Sequence, residues 1–248
     1  MSRTPIPTEP ASALEALRER TPARIALGRR GVGLPTGAVL AFSQAHALAR
    51  DAVHAELDVA ALKRELTDRG LDSTRVASRA PDRAAYLARP DWGRRLADDV
   101  VLHGPAATAP AFDLVVVVSD GLSATAVQRH AVPVVSGLLE RLADLQIAPV
   151  VIATQARVAL ADEVGERLRA RLALSLIGER PGLSAPDSLG AYLTWAPRRG
   201  CTDARRYCLS NIRPEGLDYP EAVEALTRLV RRSLDERRTG VDTQATAP

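Results

Sequence analysis

Cysteine and aromatic residues are scarce in this sequence of 248 residues. It has two cysteines, Cys201 and Cys208, and only 3% of its residues are Phe, Trp or Tyr. Two cysteines seven positions apart match neither a disulfide framework nor the close cysteine pairs of a zinc site, so reduced thiols are expected. So few aromatic side chains provide no stacking platform for single-stranded nucleic acid.

Long apolar runs and segregated charges are also missing. No run approaches the roughly 20 apolar residues that a membrane span requires, and the first ten residues lack the apolar core of a secretory signal. The net charge of +3 and the pI of about 9.2 come from acids and bases that are interleaved along the chain. We therefore expect a cytoplasmic protein that binds neither a membrane nor nucleic acid.

Histidine is present but poorly placed for metal or triad chemistry. The chain has four histidines, and no two of them are three or four positions apart: His46, His54, His103 and His130. Metal-binding helices use such spacing, and all four precede most of the ligand-binding edge predicted below. The pattern disfavours a metal cage and a Ser-His-Asp triad.

What the sequence does contain is a strand, turn and helix pattern at residues 113–128, DLVVVVSDGLSATAVQ. Its five apolar residues from Leu114 to Val118 show no alternation, which predicts a parallel strand covered by helices on both faces. The run stops at Ser119-Asp120-Gly121, where Asp120 is expected to hold the turn with an Asx hydrogen bond. Ligands of open α/β sheets bind at such carboxyl ends of strands.

The same pattern recurs at residues 147–154 and 172–177, with a weaker candidate strand at 191–195. Strands that alternate with helical patterns predict βαβ units and right-handed crossovers. The turns SDG, QAR and GERPGL then share one sheet edge. We predict an α/β fold with a doubly wound, mostly parallel, Rossmann-like sheet and an N-terminal helical extension. The predicted division is an arm and helical region at residues 1–104 and an α/β domain at residues 105–248.

Four further segments complete the predicted layout. Helical periodicity covers residues 36–69, and an apolar stripe through Val39, Phe42 and Leu48 indicates packing. A helix capped by Ser184 or Asp187 is expected after the GERPGL turn. Residues 201–214 form a polar loop that is able to fold over the site, and residues 219–238 form a terminal helix capped at Asp218.

Two motifs suggest other functions, and neither is complete. Ser123 lies in Gly-Leu-Ser-Ala-Thr, which lacks the final glycine of the G-x-S-x-G nucleophile elbow, so a helix N-cap is the stronger interpretation. Residues 28–33, GRRGVG, do not have the spacing of a dinucleotide-binding loop, and no long strand precedes them. A serine hydrolase and a stand-alone nucleotide-binding module therefore stay as alternatives.

Glu179 and Cys208 are the remaining candidates. Glu179 follows a predicted buried strand between Gly178 and Arg180, where it either binds a ligand or forms an ion pair with an arginine. Cys208 has no histidine nearby in the chain to activate its thiol, which favours a contact or filler role over a nucleophile. The residues alone thus predict a ligand-binding domain without a complete catalytic set.

At these residues the chain resembles the light chain of ethanolamine ammonia-lyase. The segments that carry the resemblance span nearly the whole chain in order: TPARIALGRR at 21–30, YLARPDWGRRL at 86–96, VSDGLSATAV at 118–127, RVALADEVGE at 157–166, IGERPGLSAPDSL at 177–189 and CLSNIR at 208–213. The resemblance implies a subunit of an adenosylcobalamin-dependent enzyme that converts ethanolamine into acetaldehyde and ammonia by radical chemistry.

The resemblance also implies which residues bind the cofactor. The family's cobalamin contacts fall on Val158, Glu179 and Cys208, and residues 105–248 become the cobalamin-binding domain. A barrel-shaped heavy chain is expected to carry the substrate site, so no catalytic residue is assigned to this chain. No histidine here lies in the D-x-H-x-x-G motif of proteins that replace the cofactor's own base, so base-on binding is expected. The resemblance also makes a bacterial microcompartment an alternative location within the cytoplasm.

Overall fold

The computed structural model describes residue 14, residues 16–102 and residues 112–240. The predicted boundary between residues 104 and 105 lies outside these residues. In chain order the helices and strands are α1 (Thr36–His54), α2 (Val59–Thr67), β1 (Ser73–Ala77), α3 (Arg83–Ala88), β2 (Phe112–Ser119), α4 (Ala124–Arg141), β3 (Val150–Thr154), α5 (Leu160–Leu168), β4 (Ala170–Gly178), β5 (Leu189–Trp195), β6 (Arg206–Ile212) and α6 (Tyr219–Glu236).

The strands form one mixed sheet in the order β1-β3-β2-β4-β5-β6. The first four strands of that order are parallel, and β5 and β6 add two antiparallel pairings at one side. The predicted α/β class and mostly parallel sheet are confirmed. Because β2, β3 and β4 are parallel, their carboxyl ends meet at one edge of the sheet.

Helices cover both faces of the sheet, as the unbroken apolar run in β2 predicts. Leu114, Val116 and Val118 point into a core shared with α2, α4 and α6. Val115 and Val117 point to the opposite face, where they pack in a core with α5. All five side chains of the run are at most 1% exposed. A strand buried on both faces has no solvent side to favour polar residues, which explains the missing alternation.

The predictions on the C-terminal side of β4 were partly wrong. No helix follows the GERPGL turn, because few residues separate it from β5 and Asp187 forms an ion pair with Arg129 instead. The predicted loop at 201–214 contains strand β6, which pairs with β5. Most of the side chains of β6 are exposed or half-buried. This edge strand therefore lacks the apolar pattern of the central strands.

The N-terminal helical stretch also differs from its prediction. It is two helices separated by extended backbone at Ala55 (ψ 139°), and Asp58 caps the second through the amide of Ala61. The described chain covers the apolar stripe of α1 only in part, since Val39, Phe42 and Leu48 are 44%, 47% and 53% exposed. Strand β1 was not predicted. None of the described helices is both long and apolar enough to cross a bilayer.

A buried ion pair joins strand β6 to helix α5. The Arg206 guanidinium donates to both oxygens of the Asp162 carboxylate, at 2.6 and 2.7 Å, and also to the Thr194 hydroxyl at 2.7 Å. The side chains of Arg206 and Asp162 are 2% and 1% exposed. The bidentate geometry joins α5 to the edge strand and satisfies charges that are costly to bury alone.

Replacing Arg206 with Met is expected to destabilise the protein by about 3 kcal/mol, because it leaves the Asp162 carboxylate buried without its partner. Urea denaturation of the purified chain measures this change. The double variant Arg206→Met, Asp162→Leu should recover much of the loss. Arg232→Ala removes an exposed ion pair on α6 and serves as the matched control, with no measurable change expected. Equal effects of Arg206→Met and Arg232→Ala would contradict this role of the buried pair.

Candidate ligand-binding site

The carboxylate of Asp120 joins the ends of β2 and β3. Its Oδ1 accepts hydrogen bonds from the amides of Gly121 (2.9 Å) and Ala156 (3.1 Å), and its Oδ2 accepts one from the amide of Gln155 (2.8 Å). Asp120 is only 4% exposed, and burial raises the pKa of its carboxyl although the three amides oppose that shift. Asp120 holds the turn as predicted, but through the amide of the next residue, Gly121, and not through an Asx bond to Leu122, whose amide donates to the Gly178 carbonyl. The same side chain also binds the QAR turn.

The end of β4 lies directly against this turn. Gly121 has a φ of +57°, and a Cβ added there would lie 2.2 Å from the carbonyl oxygen of Gly178. A Cβ on Gly178 would lie 2.1 Å from the carbonyl oxygen of Ser123. The amide of Leu122 donates to the Gly178 carbonyl at 2.9 Å. Only glycine fits at both positions, so the SDG and GERPGL turns meet as predicted.

A cavity of about 450 Å³ opens at this shared edge. Backbone and side chains from the carboxyl ends of β2, β3 and β4 line it, together with one residue each from α3, β5 and β6. The lining residues are Tyr86, Gly121, Leu122, Arg157, Val158, Ile177, Gly178, Glu179, Arg180, Tyr192 and Ser210. Val158 and Glu179, two of the three predicted contacts, therefore share one cavity wall.

Glu179 is held by hydroxyl and amide groups. Its Oε1 accepts a hydrogen bond from the Ser210 hydroxyl at 2.6 Å. Its Oε2 accepts one from the backbone amide of Asn211 at 3.2 Å and one from the Ser188 hydroxyl. No arginine in the described part of the chain forms an ion pair with it, so the interpretation of Glu179 as half of a Glu-Arg pair was wrong. The carboxylate is fixed in position, and no cationic side chain of the described residues neutralises its charge.

Cys208 lies beside the cavity and does not line it. It is exposed on β6, opposite Tyr192 of β5, whose side chain does line the cavity. Partial burial and the nearby Glu179 carboxylate raise the pKa of the thiol, although the Tyr192 hydroxyl opposes that shift. A thiol with a raised pKa is a poor nucleophile at neutral pH, which agrees with a contact role.

The sequence did not reveal Tyr86, whose ring forms part of the cavity wall. The guanidinium carbons of Arg83 and Arg157 lie 4.8 and 4.3 Å from the ring centroid, and the Tyr86 hydroxyl donates to the Ala156 carbonyl at 3.3 Å. Tyr86 follows no predicted strand, and only tertiary packing brings α3 to this edge. Ser210 was within reach of prediction, since the polar segment 201–214 was expected to fold over the site.

The two alternative motifs do not form sites. Ser123 is fully buried. Its hydroxyl accepts a hydrogen bond from the Ala126 amide and donates one to the Pro186 carbonyl. The serine therefore caps helix α4, as predicted. A substrate has no access to that hydroxyl, so a Ser123 hydrolase is contradicted. Residues 28–33 form a turn closed by backbone hydrogen bonds between Arg30 and Gly33, and they do not line the cavity.

The fold and this edge define a class: an α/β protein with a cavity at the carboxyl ends of its parallel strands, walled by a hydrogen-bonded carboxylate, hydroxyls and aromatic rings. The family model for the ethanolamine ammonia-lyase light chain (EutC) matches residues 11–244. The chain belongs to this family.

Curated relatives carry the same assignment. An ethanolamine ammonia-lyase small subunit of Azotobacter vinelandii is 54% identical over 233 residues, covering 92% of this chain and 86% of the relative. One of Pseudomonas putida is 53% identical over 245 residues, covering 97% and 89%. One of Ralstonia nicotianae is 53% identical over 232 residues, covering 92% and 86%. The resemblance on which the sequence prediction was based is confirmed.

Asp120→Asn is expected to destabilise the protein by about 1–3 kcal/mol, because an amide has one acceptor oxygen for three amide donors and directs its own N–H₂ at one of them. Chemical denaturation measures the loss. Asp99→Asn removes the same charge from an exposed position and is the control. An Asp120→Asn variant as stable as the control would mean that Asp120 does not hold the edge together.

Proposed function

We propose that this chain is the small subunit of an adenosylcobalamin-dependent ethanolamine ammonia-lyase and that it binds the corrinoid cofactor at the sheet edge, against a large catalytic subunit. The observation that carries the proposal is the meeting of Val158 and Glu179 in one cavity, with Cys208 beside it. These are the three positions that the family resemblance marks as cofactor contacts.

The chemistry of the cavity fits a corrinoid. A corrin ring is wide and carries neutral acetamide groups at its rim, which donate and accept hydrogen bonds. Oε1 of Glu179 accepts only one hydrogen bond within the described chain, so it keeps acceptor capacity for an amide N–H. Val158 supplies apolar surface on the same wall. Tyr192 and Ser210 also line the cavity and contribute hydroxyl groups to its wall.

The proposal divides the work between two subunits. Bound adenosylcobalamin supplies the radical that starts the conversion of ethanolamine into acetaldehyde and ammonia. This chain's residues bind and orient the cofactor, and the substrate site belongs to the large subunit. The exposed apolar stripe of α1 supports a larger assembly, since side chains such as Phe42 and Leu48 remain exposed on the single chain. The assembly works in the cytoplasm, with a bacterial microcompartment as the alternative location.

The cofactor is proposed to keep its own dimethylbenzimidazole base. Of the histidines in the described ranges, none lines the cavity, and His130 is buried with its Nδ1 2.7 Å from the Tyr219 hydroxyl. Burial also lowers the pKa of His130, against the pull of Asp187. The described part of this chain therefore offers the cobalt no histidine at the cavity wall.

The proposal is tested by titrating cobalamin into the chain alone, into the separately purified large subunit and into the assembled protein, followed by the visible corrinoid spectrum. Only the assembled protein is expected to bind cobalamin tightly and to turn over ethanolamine with adenosylcobalamin, because the cavity covers one face of a large cofactor. Turnover by the chain alone, or equal corrinoid binding with and without this chain, would refute the division of labour.

Glu179→Gln is expected to weaken cobalamin binding to the assembled protein by about 1–3 kcal/mol, the scale of a lost hydrogen bond to a charged acceptor. Spectroscopic titration gives the dissociation constant, and thermal unfolding reports on the fold. Glu215→Gln removes a carboxylate whose side chain is 73% exposed and which does not line the cavity, so it is the control. A large drop in the unfolding midpoint with unchanged affinity would make Glu179 a structural residue only.

A further inference from the structure

The cavity wall carries more positive charge than the neutral rim of a corrin requires. Arg157 and Arg180 both line it, whereas Glu179 is the only carboxylate among the lining residues. Within the described ranges, neither arginine forms an ion pair with an acidic side chain. Glu179 itself is held by hydroxyls and an amide, as described above. The two guanidinium groups therefore face the cavity region without an acidic partner.

Arg157 is fixed in this position by its surroundings. Its backbone amide donates to the Gly93 carbonyl at 2.8 Å, its guanidinium stacks on Tyr86, and its Nη2 donates to the Tyr86 carbonyl at 3.3 Å. Its Nε is buried without an acceptor in the part of the chain that the structure describes. A guanidinium has five N–H donors, so the described residues use only a small part of the hydrogen-bonding capacity of Arg157.

The charges around Arg157 increase this imbalance. Arg83 lies on the same tyrosine ring, and its Nη2 is also buried without an acceptor. The pKa of Arg83 is lowered by burial and by the charge of Arg157, while Asp120 opposes the shift. The charge of Asp120 acts on Arg83, but the carboxylate oxygens of Asp120 accept from three backbone amides and form no hydrogen bond with either arginine in the described chain. An anion in the cavity would satisfy donors and relieve the repulsion between the two arginines.

We propose that Arg157, assisted by Arg180, forms an anion subsite of this cavity that takes a phosphodiester. The proposal rests on the proposed function: the corrin amides are neutral, and the phosphodiester of the cofactor's nucleotide loop is the anionic group that such a subsite would recognise. Guanidinium groups suit phosphate oxygens because they donate paired, charge-assisted hydrogen bonds. Arg157 and Arg180 would hold the nucleotide loop of the cofactor against this chain.

Three corrinoids test the subsite in the assembled protein: cobinamide, which lacks the nucleotide loop, cobinamide phosphate, which keeps the phosphate without the base, and cobalamin. Dissociation constants come from visible spectra, without reference to activity. The wild type should bind the two phosphate-bearing corrinoids more tightly than cobinamide. Arg157→Gln should weaken binding of those two by about tenfold, the low end for a charged hydrogen bond, and leave cobinamide unchanged.

The controls separate this subsite from a structural role. Arg228→Gln removes an exposed arginine from α6 and should change none of the three constants. Arg157→Lys keeps the charge and should retain part of the preference for phosphate. If Arg157→Gln fails to assemble, Arg180→Gln provides the same comparison from an exposed side chain.

Each other outcome has a distinct meaning. Equal weakening of all three corrinoids by Arg157→Gln, or no weakening of any, overturns the anion subsite and leaves the proposed function intact. A wild type that binds none of the three overturns the proposed function instead. Binding of adenosine monophosphate alone, lost in Arg157→Gln while corrinoid binding is unchanged, would assign the subsite to free nucleotides and overturn the present proposal.

Discussion

The site depends on one buried carboxylate. Parallel strands leave unpaired amides where they end, and buried amides without acceptors are costly. Asp120 meets that need for two strands at once, because it accepts from the turn after β2 and from the turn after β3. The close backbone contact of Gly121 with Gly178 adds the end of β4. Three turns that are distant in sequence thus become one rigid wall.

The antiparallel side of the sheet completes that wall. Strands β5 and β6 return the chain to the carboxyl edge of β4, which places Tyr192, Cys208 and Ser210 around Glu179. A βαβ crossover at this point would not have placed these side chains beside Glu179. The buried Arg206–Asp162 pair fixes the start of β6 against α5, so an exposed, polar edge strand still has a defined position.

Charge at the edge is unevenly compensated. Both acids of this edge are held by hydrogen bonds: Asp120 accepts from three amides, and Glu179 accepts from two hydroxyls and one amide. The guanidinium groups of Arg83 and Arg157 instead share a tyrosine ring, and each keeps a buried donor for which the described residues supply no acceptor. In a folded protein such donors are uncommon unless a ligand or partner satisfies them.

The sequence by itself determined the central strands, the shared edge and the turn chemistry. Unbroken apolar runs report burial on two faces, and Asp120, Ser123 and Asp218 report local hydrogen bonds that depend on neighbouring residues only. Its motifs also identified the family, which the family model and the curated relatives confirm. Only the tertiary structure decided what long-range pairing controls: the antiparallel direction of β5 and β6, the hydroxyl partners of Glu179, and the arrival of Tyr86 in the cavity. The apolar stripe of α1 shows the same limit, because periodicity reveals an apolar face but not whether this chain itself covers it.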